Sequence, residues 1–280
     1  MAKTEVAEVK KTAVALPEGY DMDELIADAQ QNPTMDASDV ALPFIALLQS
    51  NSPEVNPGHS AYIEGSQSSM FMNTVTGDVY EGRKEGLLIV PCHYERKLVE
   101  WVDRDNGGGW VADYPTDHPI KNNVRKNEKG KDVLPNGNFL VETAYQYILV
   151  MDPSSGSWSQ AVLGLKSTAL KKNRQLNNSI VTSKIPGTEV QAPRYMYPYT
   201  MRSVFEQKGE NSWWNYEFKR VDEPVLPEVY RAAKAFAQMV ASGLLSRSTT
   251  AEGQANVATD GQGRQYDKTT GEVLDDEIPL

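Results

Sequence analysis

Two groups of cations in this sequence sit where contacts to a polyanion would need them. Lys166, Lys171, Lys172 and Arg174 fall within nine residues that contain no acid. A polar stretch upstream carries Lys121, Arg125, Lys126, Lys129 and Lys131. Like charges held this close repel one another, and an approaching chain of phosphates relieves that cost. Aromatic rings are interleaved with further cations. Tyr195, Tyr197 and Tyr199 share one parity while Arg194 and Arg202 share the other, and Trp214, Tyr216 and Phe218 alternate with Trp213 and Lys219. Tyr145 and Tyr147 repeat the spacing earlier. Residues two apart share a face of a strand. A base stacks on an exposed ring for roughly 1–3 kcal/mol while Lys or Arg neutralises its backbone, so this combination suits single-stranded nucleic acid. The same alternation also serves a β-sheet core, so most of these rings are expected to be buried and only a few exposed.

Other chemistries lack their residues. His59, His93 and His118 are far apart, and the adjacent pair Cys92-His93 lacks the spaced second pair of a zinc site. There is no Gly-x-x-x-x-Gly-Lys-Ser/Thr loop, and Gly107-Gly108-Gly109 reads as a hairpin turn rather than a phosphate cradle. Neither a Gly-x-Ser-x-Gly elbow nor a His-Glu-x-x-His helix is present. Asp103 and Asp105 bracket a turn, as solvated acids commonly do. No catalytic residue, metal or cofactor is expected, and the chain reads as a binding protein rather than an enzyme.

The net charge of −10 over 280 residues argues against a polyanionic partner until its distribution is considered. Residues 121–220 hold 15 Lys and Arg against 8 Asp and Glu, whereas residues 1–64 hold 3 against 11 and residues 221–280 hold 5 against 10. The middle is basic and both ends are acidic. A folded surface that sets the acidic segments beside the basic one is an equally good reading of this pattern. No run approaches the ~18 apolar residues of a membrane span, and residues 1–5 start no secretory signal. The single cysteine, Cys92, excludes an intrachain disulfide and points to the reducing cytoplasm.

These residues need a β-rich scaffold. Residues 1–20 read as a mobile arm, and residues 21–29 as a short helix that Pro33 stops. The apolar run over 40–48 is a buried strand or helix. Strands are expected at 69–74, 79–80, 86–91, 97–102, 110–111, 139–151, 158–165, 194–205 and 213–221, with a long polar loop over 113–138. Ser167 caps a short helix ending near Leu176. Pro227 opens the clearest helix, with Val229, Ala233, Phe236, Val240 and Leu244 on one face. Residues 247–274 lack large apolar residues in any number and read as a disordered linker. The expected fold is α+β and β-rich: an OB-fold-like antiparallel barrel or half-barrel over 21–246 with short helices and disordered termini.

The tip Asp275-Asp276-Glu277-Ile278-Pro279-Leu280 has the logic of a short linear ligand. Its apolar end fills a pocket, its acids meet a basic rim, and Pro279 limits the entropy lost on docking. It resembles the acidic tip of bacterial single-stranded-DNA-binding proteins, with Glu277 in place of an Asp and Leu280 in place of a Phe. The body also resembles a family of bacteriophage proteins, some of them single-stranded-DNA-binding. Leu42-Pro43-Phe44-Ile45, Leu48-Gln49-Ser50, Ser52-Pro53-Glu54-Val55, Leu165 through Lys172 and the last aromatic hairpin carry that likeness. It implies an OB-like fold, a role in phage DNA replication or recombination in the host cytoplasm, and replication or recombination proteins as partners of residues 275–280. Self-association is left open. The expected DNA contacts are Lys121, Arg125, Lys126, Lys166, Lys171, Lys172, Arg174, Arg194, Tyr195, Tyr197, Arg202, Trp213 and Trp214. The competing expectations are a virion structural or assembly protein and an acidic inhibitor of a host DNA-binding protein.

Overall fold

The computed structural model describes residues 21, 42–103, 109–128, 130–243 and 245, with the backbone of 257–259 and 265–267. The arm over 1–20, the helix expected over 21–29 and the tip 275–280 lie outside the described residues. Thirteen strands and two α-helices are described: β1 (Ile45–Leu47), β2 (Phe71–Asn73), β3 (Val79–Tyr80), β4 (Leu87–Trp101), β5 (Trp110–Pro115), β6 (Arg125–Lys126), β7 (Asp132–Val133), β8 (Phe139–Met151), β9 (Trp158–Lys166), α1 (Ala169–Thr182), β10 (Tyr199–Lys208), β11 (Asn211–Arg220), α2 (Pro227–Ala241), β12 (Val257–Thr259) and β13 (Gln265–Asp267). β12 and β13 pair antiparallel within the segment expected to be a linker.

The main sheet runs β11-β10-β4-β8-β7-β6, with β5 also on β4 and β9 also on β8. It curls into an antiparallel half-barrel, so the β-rich expectation holds. Its axis is the ladder between β4 and β8, which extends from Ile89–Val150 to Trp101–Phe139. The sequence suggests two strands here, over 86–91 and 97–102, and the structure makes them one. Pro91 has no N–H to give the ladder, and a bulge between Pro91 and His93 accommodates it. Two other boundaries also move. β10 begins at Tyr199 rather than Arg194, because Pro193 and Pro198 keep the preceding residues out of the ladder. α1 starts after Ser167, which adopts φ 53°, and runs on to Thr182 because Ala169, Asn173, Leu176 and Ile180 bury one face.

Each face of the sheet has its own cover. Leu176 and Ile180 of α1 join Leu87, Ile89, Ile148, Leu163 and Tyr199 in one core. On the other face Val229, Ala233, Phe236 and Val240 of α2 pack on Val90, Cys92, Tyr145 and Tyr147. Burying each large side chain contributes about 1.5–3 kcal/mol. Burial also raises the Cys92 thiol to about 12, so it stays protonated. Among the described residues no helix is long and apolar enough to cross a membrane.

The sheet's two lateral edges meet through β1. On one side Phe44 bridges to Val162 of β9. On the other side Gln49 stands in for a strand: its Nε2 donates to the Trp214 carbonyl at 3.0 Å and its Oε1 accepts the Trp214 N–H at 2.9 Å. At the far end of β4, Glu100 is 4% exposed and accepts from Tyr114 Oη, Asn136 Nδ2 and Asn138 Nδ2. Burial by itself raises this carboxyl, and the three hydrogen bonds outweigh burial and hold it below its ordinary value.

Both polar clamps can be tested by substitution. Gln49→Ala removes both bonds to Trp214 and lowers stability by about 1–3 kcal/mol, read as a lower urea midpoint at unchanged slope. Because its folded pKa is depressed, Glu100 contributes stability that is complete above the unfolded value of about 4.3 and is lost as pH falls through the folded one. Glu100→Gln therefore lowers the melting temperature at neutral pH, and the difference from the unsubstituted protein shrinks under acid. An unchanged difference from neutral pH down to about pH 3 contradicts this assignment.

Candidate nucleic-acid interface

Directly paired residues of neighbouring strands point to the same face. Following the register from β6 to β5 gives one row: Arg125 pairs with Val133, Val133 with Phe139, Phe139 with Trp101, and Trp101 with Trp110. Five strands at roughly 4.8 Å spacing put this row across about 19 Å of sheet. All three rings are half-buried and Arg125 is exposed. Lys131 Nζ lies over the Phe139 ring at 4.9 Å, and Lys166 Nζ lies over the Trp101 ring at 4.9 Å. Farther along the same face Lys97, Thr143 and Lys166 form a second row. Trp110 Nε1 donates to Asp113 at 3.0 Å, which fixes that ring. Glu100 and Asn138 precede Trp101 and Phe139, so the Glu100 clamp also sets the angle of the row.

Of the expected contacts the structure places Arg125 and Lys166 along this row, Arg125 at the β6 edge and Lys166 over Trp101 three strands away. Trp101, Trp110, Phe139 and Lys131 complete the row, and only the pairing of distant strands could have revealed it. Lys126 is ion-paired with Asp132 at 2.7 Å on the opposite face, and Lys121 Nζ donates to the Thr116 carbonyl at 3.1 Å.

The remaining expected contacts are spread over other surfaces. Lys171 and Arg174 are exposed on α1, whereas Lys172 is ion-paired with Glu206 at 2.8 Å. Glu206 is held below the usual carboxylate range, first by that lysine and then by Asn215. Arg194 is half-buried. It donates to Gln146 Oε1 and Asn177 Oδ1, both at 2.8 Å, and lies over the Tyr94 ring at 5.4 Å. Burial lowers its pKa. Tyr197 is 7% exposed, donates to the Lys184 carbonyl and lies beneath Arg220, so it offers no face to a base. Tyr195 packs edge-on against Tyr230 of α2. Tyr216 stacks on Phe71 and Phe218, as the core interpretation of this aromatic stripe requires. Trp213 is half-buried, and Trp214 and Arg202 lie at the β10–β11 hairpin, away from the row. Among the described residues no group of three or more His, Cys, Asp or Glu could hold a metal ion.

Residues 9–246 match the family model described as Pam3 phage gp34-like protein. Neither a curated protein nor a solved structure matches the chain. The family match takes in both helices, the main sheet and the whole aromatic row. The chain belongs to the Pam3 phage gp34-like protein family.

Proposed function

We propose that this chain is a phage single-stranded-DNA-binding protein that acts in replication or recombination by binding rather than by catalysis. The row Arg125–Val133–Phe139–Trp101–Trp110, with Lys131 and Lys166 set over two of its rings, carries the proposal. The rings are half-exposed, so a base stacks on them by displacing the amines of Lys131 and Lys166 from above Phe139 and Trp101, and those amines then meet the adjoining phosphates. A duplex keeps its bases stacked internally and offers these rings nothing, so the row favours a single strand.

The acidic segment 247–280, outside the described residues apart from the backbone of β12 and β13, enters as a competitor and a recruiter. It carries seven acids against three cations. In this reading it lies against the basic surface when DNA is absent and contacts replication or recombination proteins through residues 275–280 once DNA displaces it.

The test is fluorescence anisotropy with a labelled single strand of roughly 30 nucleotides and a matched duplex, at two salt concentrations. Salt-sensitive binding that prefers the single strand is expected. Alanine at Phe139 or Trp101 weakens it by about 1–3 kcal/mol. Alanine at exposed Arg125 or Lys131 reduces the salt slope by about 0.7 for each phosphate no longer neutralised, with little effect on folding. Removal of residues 247–280 tightens binding at low salt, and an unchanged affinity refutes the competitor role alone. Absence of binding at low salt by both full-length and shortened protein overturns the proposed function.

A further inference from the structure

A second aromatic and cationic corner lies at the other end of β4, at the β10–β11 hairpin. Phe205 and Trp214 are register partners with rings 5.4 Å apart and inclined at 67°. Phe205 is 57% exposed, unlike Tyr216 of the same stripe, which is buried against Phe71. The Arg83 guanidinium lies over the Trp214 ring at 5.6 Å. Lys84 follows it, and residues 82–86 run against β10, whose Arg202 pairs with Glu217 on the opposite face of the hairpin from Phe205. Ser203 N–H donates to the Gly82 carbonyl at 2.7 Å, and a Cβ on Gly86 would collide with the Met201 carbonyl and the Arg202 side chain.

Two exposed cations stand beside these rings, with acids close by. Arg83, Lys84 and Arg202 are exposed, and among the described residues none of them is ion-paired. Two neighbouring acids have hydrogen-bond partners of their own. The Glu81 carboxylate accepts the backbone N–H groups of Arg83, Lys84 and Glu85, and Glu206 is held by Lys172 and Asn215. Glu81 and Glu85 remain as exposed carboxylates beside Arg83 and Lys84, and Glu217 faces Arg202 across the hairpin. Beside Arg83 and Lys84 opens a pocket of about 430 Å³, whose lining includes Gln67, Ser69, Met70 and the acidic Glu81. Gln67 and Ser69 supply the polar groups of a small-molecule site, and Met70 supplies an apolar wall.

We infer that this corner is a second nucleobase site, in which a base stacks on Phe205 and the adjoining phosphates meet Arg83 and Lys84. The inference rests on the single-stranded-DNA reading and extends it, because the two sites lie at opposite ends of the fifteen-residue strand β4. A strand that fills both must cross the molecule, whereas a short oligonucleotide occupies one at a time.

The test uses the full-length protein and thymine oligonucleotides of roughly 5 and 30 nucleotides, the longer one also in a 5-iodouracil form for photocrosslinking. Crosslinked peptides are expected from 203–219 as well as from the row around Trp101 and Phe139. Phe205→Ala and the double variant Arg83→Ala/Lys84→Ala each weaken the long oligonucleotide about fivefold or more and change the short one much less. These side chains are exposed, and an unchanged thermal midpoint confirms that the variants fold. Crosslinks confined to the row, with full affinity in Phe205→Ala, overturn the second site and leave the proposed function standing. Failure of the unsubstituted protein to bind either oligonucleotide overturns both.

Discussion

The ladder between β4 and β8 runs from Ile89–Val150 to Trp101–Phe139 with a single bulge, and the other elements are arranged by how they cover it. Adjacent strands rotate by roughly 20–25° relative to one another, so a pair this long cannot present one flat face to one partner. Its ends are covered separately. Toward Ile89 the sheet gains β10, β11 and β9 and curls around a core that α1 completes. Toward Trp101 it gains only β5, β7 and β6, all of them short, and Trp101 and Trp110 border the α2 core rather than lying inside it. The aromatic row is half-exposed for this reason. The bulge at Pro91–His93 also switches parity. Val90 faces α2 before it, the bulged Cys92 also packs there, and Val99 and Trp101 take that face after it.

Polar side chains fix the geometry that apolar packing leaves loose. Hydrophobic contact is non-directional and does not select a register, but a buried amide or carboxylate without its partners costs about 1–3 kcal/mol or more. Gln49 can satisfy both ends of its carboxamide only when β1 lies one strand-width from β11 at Trp214. Glu100 can be satisfied only when the turn before Phe139 folds back to bring Asn136 and Asn138 to it. Gln146, fully buried beneath α1, bonds Asn173, Asn177 and Arg194 at once and fixes the helix in register with β8. None of these groups lies in the aromatic row, yet each determines where a ring or a cation can be.

Local pattern made some of this legible. The long apolar run Phe139–Met151, its return through Trp158, and the spaced apolar face of α2 are all visible in the sequence, because each depends on contacts within one segment or with one buried surface. The row was not visible. Arg125, Phe139 and Trp101 become neighbours only through pairings between strands far apart in the chain, and no local period encodes that register. Parity misled for a related reason. Tyr195 and Tyr197 have the spacing of a strand face, but prolines on either side hold them in a turn, where one packs on α2 and the other under Arg220. Lys172 of α1 and Lys126 of β6 looked like free cations because their partners, Glu206 of β10 and Asp132 of β7, come from other elements.

The net charge of −10 becomes compatible with a polyanionic ligand once distance is considered. At physiological ionic strength exposed charges are screened over about 8 Å, less than half the width of the five-strand row. A phosphate at the row therefore responds mainly to Arg125, Lys131, Lys166 and Lys97, with Asp113 opposing them at the Trp110 end, and Lys97 is already shared with Glu95 at 4.0 Å. Acids elsewhere on the chain act on that phosphate only when salt is low or when their own segment approaches. An acidic segment of this kind can compete with DNA for the same cations without being part of their site. The total charge then describes solubility and nonspecific repulsion, and under the proposed function the local row is what a single strand would meet.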